Sequence, residues 1–198
     1  MTKRDPTRFL TEEYQDLVAK GFDWRPPVLQ GPAGARARYN GKDVLVLCAN
    51  NYLNLANHPK LKEAAMEATR RYGAGSGSVR PIAGNMEICE EVERRVAGFK
   101  HVEASLLYMS GFAANAGLLA PLAGDQQDVV LTDELNHGSI IDGLRLSKAE
   151  RIIYKHNDLA DLERALQECE RRSARRITIV TDGVFSICLL YTSPSPRD

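Results

Sequence analysis

From His58 onward, stretches with helical apolar spacing alternate with short apolar runs, and that alternation leaves few folds open. Lys60 to Tyr72, Met86 to Phe99, Ala113 to Leu122, Ser139 to Ser147 and Leu159 to Arg172 carry the helical period. Ala104 to Tyr108, Val129 to Thr132, Arg151 to Tyr154 and Ile177 to Thr181 read as strands between them. Strands separated by helices pair in parallel, so the chain predicts an α/β fold with a mainly parallel sheet flanked by helices.

Before His58 the texture differs. Phe9, Leu10, Tyr14, Leu17 and Val18 sit at helical spacing over residues 7 to 20, with Gly21 as a stop. Trp24-Arg25-Pro26-Pro27 cannot continue a helix. Ala35 to Tyr39 and Val44 to Leu47 alternate around Asn40-Gly41, the signature of a hairpin. The expected organisation is an N-terminal helix and hairpin segment over residues 1–57, a partial large domain over 58–186, and a tail over 187–198. In that tail the βα rhythm gives way to Ser and Pro, the texture of foreign or disordered sequence.

Composition removes several functions. Lys plus Arg and Asp plus Glu stand at 26 each, so no net charge draws the chain to nucleic acid or an anionic membrane. Arg171, Arg172, Arg175 and Arg176 alternate with acids and read as a solvated helix face. The 4 cysteines lie far apart without a CxxC pair, which argues against a zinc site or disulfide framework and fits a reducing cytoplasm. The first residues have scattered charge and no apolar h-region, and no stretch approaches a membrane span; a soluble, cytoplasmic protein is expected.

In open α/β sheets, ligands gather where strands exit into helix N-termini. The first exit, Met109-Ser110-Gly111-Phe112-Ala113-Ala114-Asn115, is a small-residue turn opening a helix, with free backbone N–H groups suited to a phosphate. The second, Asp133-Glu134-Leu135-Asn136-His137-Gly138-Ser139, carries an imidazole that can stack on a planar cofactor and hydrogen-bond a carbonyl. The third, Thr181-Asp182-Gly183-Val184-Phe185-Ser186, offers a hydroxyl and a carboxylate without the G-x-S-x-G elbow of a hydrolase. Gly73 to Arg80 is glycine-dense but follows a helix, and it has neither the G-x-G-x-x-G spacing nor the Lys-Ser/Thr of a P-loop. Cys48 to Leu55 is a polar turn after the hairpin, which by itself reads equally as a capped connection.

Taken in order, CANNYLNLANHP, GAGSGSVRPIAG, SGFAAN, DELNHGSIIDGLRLSKA and TDGVFS resemble the α-oxoamine synthases, fold-type I enzymes that use pyridoxal 5'-phosphate. The resemblance covers roughly residues 45 to 186. It implies that Gly111 and Phe112 hold the cofactor phosphate through their amides, that His137 stacks on the pyridine ring, and that Ser186 contacts the cofactor near its phenolic oxygen. It places Asn50 near the substrate carboxylate and makes Arg25 a candidate substrate-side arginine. The implied partners are an acyl-CoA and a small amino acid such as glycine, in a homodimer. The motif strings look closest to the glycine C-acetyltransferases, with the 8-amino-7-oxononanoate synthases as the alternative. An inactive truncated chain or a noncatalytic binding module is the alternative of another class, because family members run to about twice this length. Lys148, expected inside a helix, does not match the family's cofactor-anchoring lysine, so this chain is not expected to form the covalent lysine–cofactor link.

Overall fold

A computed structural model describes residues 5–185. It divides into two compact units, one ending at Gly84 and the other beginning at Asn85.

In the first unit, helix α1 runs Arg8–Ala19 and ends before Gly21, whose φ of 72° is a conformation glycine adopts freely. Strands β1 (Leu29–Gln30), β2 (Arg36–Tyr39) and β3 (Lys42–Leu45) form an antiparallel sheet. The β2–β3 hairpin closes on Asn40 and Gly41, at φ 49° and 75°, and this two-residue turn pairs Tyr39 with Lys42. The second strand therefore starts at Lys42, ahead of the expected Val44. β1 was not expected in the Pro/Gly-rich segment; it exists through its pairing with Arg38 and Tyr39. Helix α2 (Pro59–Tyr72) starts with Pro59 at its first position and with the His58 ring accepting from the Lys60 amide. After it, Arg80–Gly84 forms one π-helical turn. Gly84 is buried there, and a Cβ on it would meet the Ser78 carbonyl oxygen at 2.1 Å, so only glycine fits. No hydrophobic side chain among the described residues of this unit is buried.

In the second unit, α3 (Glu87–Lys100), α4 (Gly111–Leu122), α5 (Gly138–Arg145) and α6 (Leu159–Arg171) accompany the strands β4 (Asp128–Asp133), β5 (Glu150–Tyr154) and β6 (Arg176–Val180). The sheet is parallel in the order β5-β4-β6, as the alternation predicts. All six residues of the central strand β4 are buried. Its alternating side chains serve two cores. Val130 packs with Leu119, Ala123, Ile140 and Leu144 beneath α4 and α5. Val129 and Leu131 pack with Tyr154 and Cys169 beneath α6. At the strand entrance, Arg175 grips the buried Asp128 through two hydrogen bonds, Nε to Oδ1 at 2.9 Å and Nη2 to Oδ2 at 2.7 Å. The guanidinium holds that carboxyl below the usual carboxylate range.

Two expectations need correction. Ala104 to Tyr108 is not a strand: its chain is bonded to α3, with the Leu107 amide donating to Glu93 Oε1 at 2.7 Å and Ser105 Oγ donating to the Glu93 carbonyl at 2.7 Å. An apolar run becomes a strand only when another strand supplies its ladder, and no described strand lies beside this one. Lys148 is not helical either, because α5 stops at Arg145 and Lys148 lies in the turn before β5. The tail over 187–198 lies outside the described residues.

Candidate functional site

Three strand and turn exits meet at one cleft of about 230 Å³, lined by Gly111, Phe112, Asn115, His137, Ser139, Asp182 and Val184. α4 contributes its N-terminus. Ser110 caps it, its Oγ accepting from the Ala113 amide at 3.1 Å while its carbonyl accepts from Ala114 at 3.0 Å. Those bonds use the third and fourth amides of the turn and leave the Gly111 and Phe112 N–H groups without an intrahelical acceptor. A Cβ at Gly111 would meet nothing within 4 Å, so the cleft has room beside that residue. Two free N–H groups at the positive end of a helix suit an anion such as a phosphate ester.

His137 enters from the β4 exit and is held on both sides. Its backbone N–H donates to Asp182 Oδ2 at 2.8 Å, tying the β4 exit to the β6 exit. The buried Asn136 completes that tie: its Nδ2 donates to the Val180 carbonyl at 2.7 Å and to Thr132 Oγ1 at 2.9 Å, and its Oδ1 accepts from the Asp182 amide at 2.9 Å. Every polar atom of this carboxamide side chain is therefore engaged between two strands. The imidazole caps α5, with Nδ1 accepting from the Ser139 amide at 3.1 Å and lying 2.8 Å from Ser139 Oγ. Asn115 of α4 donates through Nδ2 to the same Ser139 Oγ at 2.8 Å.

A second polar cluster ties the strand ends together. The buried Asp133 accepts from the Leu135 amide at 2.9 Å and the Asn157 amide at 3.2 Å, and it lies 3.0 Å from His156 Nδ1. The His156 ring stands edge-on to the buried Phe185, with centroids 4.5 Å apart. Burial pushes the neighbouring Tyr154 phenol up, against the opposing pull of a hydrogen bond with Thr181.

The structure thus brings Gly111, Phe112 and His137 together at one cleft, although the turn before α4 follows no described strand. Ser186 lies outside the described residues. Asn50 and Arg25 belong to the first unit, both exposed: Asn50 Oδ1 accepts from the Tyr52 hydroxyl at 3.5 Å, and Arg25 Nη2 reaches the Tyr14 hydroxyl at 3.5 Å. Asn115, Asn136 and Ser139 were not singled out from sequence, although all three sit inside the quoted motifs. No lysine lines the cleft among the described residues, and these residues hold no cluster suited to a metal ion. No helix among them is long and apolar enough to cross a membrane.

The family model described as aminotransferase class I and II matches residues 42–188. An 8-amino-7-oxononanoate synthase of Treponema denticola is 49% identical over 179 residues, spanning 90% of this chain and 45% of that protein. The synthase of the same name from Thermoanaerobacter pseudethanolicus is 50% identical over an equal span. The chain therefore covers about half the length of the relatives it matches. Among solved structures, a serine palmitoyltransferase from S. paucimobilis with bound PLP and myriocin superposes with a TM-score of 0.82 at 28% identity, covering 96% of this chain and 48% of that one.

Proposed function

Because the chain belongs to the aminotransferase class I and II family and has the fold-type I architecture, we propose that it forms the cofactor-cradling portion of a pyridoxal-phosphate-dependent 8-amino-7-oxononanoate synthase. The reaction proposed for the whole protein joins L-alanine to a pimeloyl thioester, releasing CoA and carbon dioxide. The observation that carries this choice of substrates is the near 50% identity to synthases of that name over 90% of the chain. Glycine C-acetyltransferase, favoured by the motif strings, takes second place on the same ground.

The residues of the cleft fit a planar cofactor bearing a phosphate. Gly111 and Phe112 would hold the phosphate through their free amides, and His137 would pack against the ring and offer a ring nitrogen to an oxygen in the cleft. When bound, pyridoxal phosphate supplies an electron sink for the negative charge left at the amino-acid Cα. Asp182 and Asn136 keep the His137 backbone fixed while charge develops, so the protein's share of the chemistry is preorganised hydrogen bonding. Ser186, Asn50 and Arg25 remain part of the proposal as cofactor and substrate contacts carried by the resemblance. A homodimer is proposed with them, supported by the first unit's lack of any buried hydrophobic side chain among its described residues and by exposed Trp24, Leu47 and Ile82.

The test is a paired assay of the protein that carries this chain. CoA release with L-alanine and pimeloyl-CoA exceeding that with glycine and acetyl-CoA is the expected result. The reverse order would transfer the assignment to glycine C-acetyltransferase, and no turnover of either pair would remove the acyltransferase reading.

A further inference from the structure

We infer that Asn115 and Ser139 are positioning residues that lock His137 as the tautomer protonated on Nε2, so that the ring meets the cleft as a hydrogen-bond donor. A backbone N–H can only donate, so the 3.1 Å bond from the Ser139 amide makes Nδ1 an acceptor. With Nδ1 an acceptor, Ser139 Oγ at 2.8 Å from it meets it as a donor, while a lone pair of the same oxygen receives the Asn115 Nδ2 hydrogen at 2.8 Å. The direction of the whole line, from Asn115 through Ser139 to His137, is thus fixed from its two ends: the carboxamide nitrogen at one and the backbone amide at the other.

The neutral ring then carries its proton on Nε2, the nitrogen with no partner among the described residues. Ser139 is buried and Asn115 half-buried, so water competes poorly for these bonds. An imidazole held this way donates to an acceptor oxygen on whatever occupies the cleft, and in its neutral state it does not take a proton through Nε2. The consequence for a bound cofactor or acyl carbonyl rests on the function proposed above; the tautomer itself does not.

The test is nitrogen NMR of the ¹⁵N-labelled, cofactor-free 198-residue chain, with the His137 ring assigned by its loss in His137→Gln. The expected spectrum of the neutral ring has an unprotonated-type signal on Nδ1 and a protonated-type signal on Nε2. Ser139→Thr keeps the hydroxyl and retains that pattern, whereas Ser139→Ala moves both nitrogens toward mixed tautomer values. Asn115→Asp replaces the donor by an acceptor, draws the Ser139 hydroxyl away from Nδ1 and gives the same mixing. Asn115→Leu removes the donor that holds the hydroxyl in place and moves both nitrogens part of the way, less than Asn115→Asp does, whereas a merely structural role for Asn115 leaves the tautomer pattern unmoved. A wild-type ring protonated on Nδ1, or equal responses to Asn115→Asp and Asn115→Leu in variants with unchanged circular dichroism, would overturn the inference. Titration of the same sample with pyridoxal 5'-phosphate separates the two readings: an intact tautomer without binding removes the cofactor proposal and leaves the positioning role standing.

Discussion

Replacing Gly143 with alanine sets two effects of known size against each other. Gly143 lies in α5, where alanine is favoured over glycine by roughly 1 kcal/mol through the backbone freedom lost on folding. Its face is pressed against α4, however. A Cβ there would sit 2.8 Å from the Asn115 carbonyl oxygen, 3.1 Å from its carbonyl carbon and 3.2 Å from Ala116 Cα. Ordinary contact begins at 3.4 Å, and all three neighbours are backbone, which cannot swing away as a side chain does. Overpacking of this kind costs about 1–3 kcal/mol. Parting the helices also stretches the 2.8 Å bond from Asn115 to Ser139, worth about 1 kcal/mol. Packing prevails, and Gly143→Ala is expected to destabilise the second unit by about 1–3 kcal/mol, lowering its melting temperature by roughly 4 °C or more. Gly98→Ala is the control, because its Cβ meets nothing within 4 Å in α3 and the helix preference alone should raise stability by up to about 1 kcal/mol. Urea unfolding followed by circular dichroism measures both. Equal stabilisation by the two substitutions would refute the close approach of α4 and α5.

Other expectations follow from single contacts. Asn136→Ala strands the Asp182 amide and the Val180 carbonyl between strands and should cost about 2–4 kcal/mol, with faster amide hydrogen exchange at His137; an unchanged urea midpoint would count against the tie. Asp128 has a depressed folded pKa, so its stabilising contribution is complete above the unfolded value of about 3.9 and disappears as the pH falls through the folded value. Asp128→Asn should therefore flatten the loss of stability as the pH falls below about 5, and a parent-like acid transition in the variant would contradict the Arg175 pairing. Burial raises the Cys169 thiol, whereas Cys48 is exposed, so alkylation mapped by mass spectrometry should label Cys48 first and Cys169 only as the chain unfolds. Early labelling of Cys169 would place it outside the core.

Much of the fold is legible because its signals are local. The Asn40-Gly41 turn, the Pro59 start of α2 and the 3.6-residue period of α6 each need only neighbouring residues to be read. Ala104 to Tyr108 misled because strand formation depends on a partner, and apolar β-prone residues cannot say whether one is present. The π turn at Arg80–Gly84 escaped for a similar reason: its cause is the approach of Gly84 to Ser78, which spacing does not encode. In the site, the place of His137 was legible at the β4 exit, whereas Gly111 and Phe112 follow a segment that is no strand and were legible only as a small-residue turn opening a helix. The residues that hold them were not. Asn136 reaches Val180 across 44 positions, and Asn115 reaches Ser139 across 24, so their roles exist only once β4, β6 and the two helices are packed.

The central claim is that the cleft between the α4 N-terminus and His137 receives pyridoxal phosphate. Titrating the ¹⁵N-labelled chain with pyridoxal 5'-phosphate, with inorganic phosphate as a competitor, addresses it directly. Binding in this cleft shifts the amides of Gly111, Phe112 and His137 together along one saturating curve, and phosphate reverses the first two. Shifts confined to residues flanking exposed lysines, with those three amides unmoved, would contradict it.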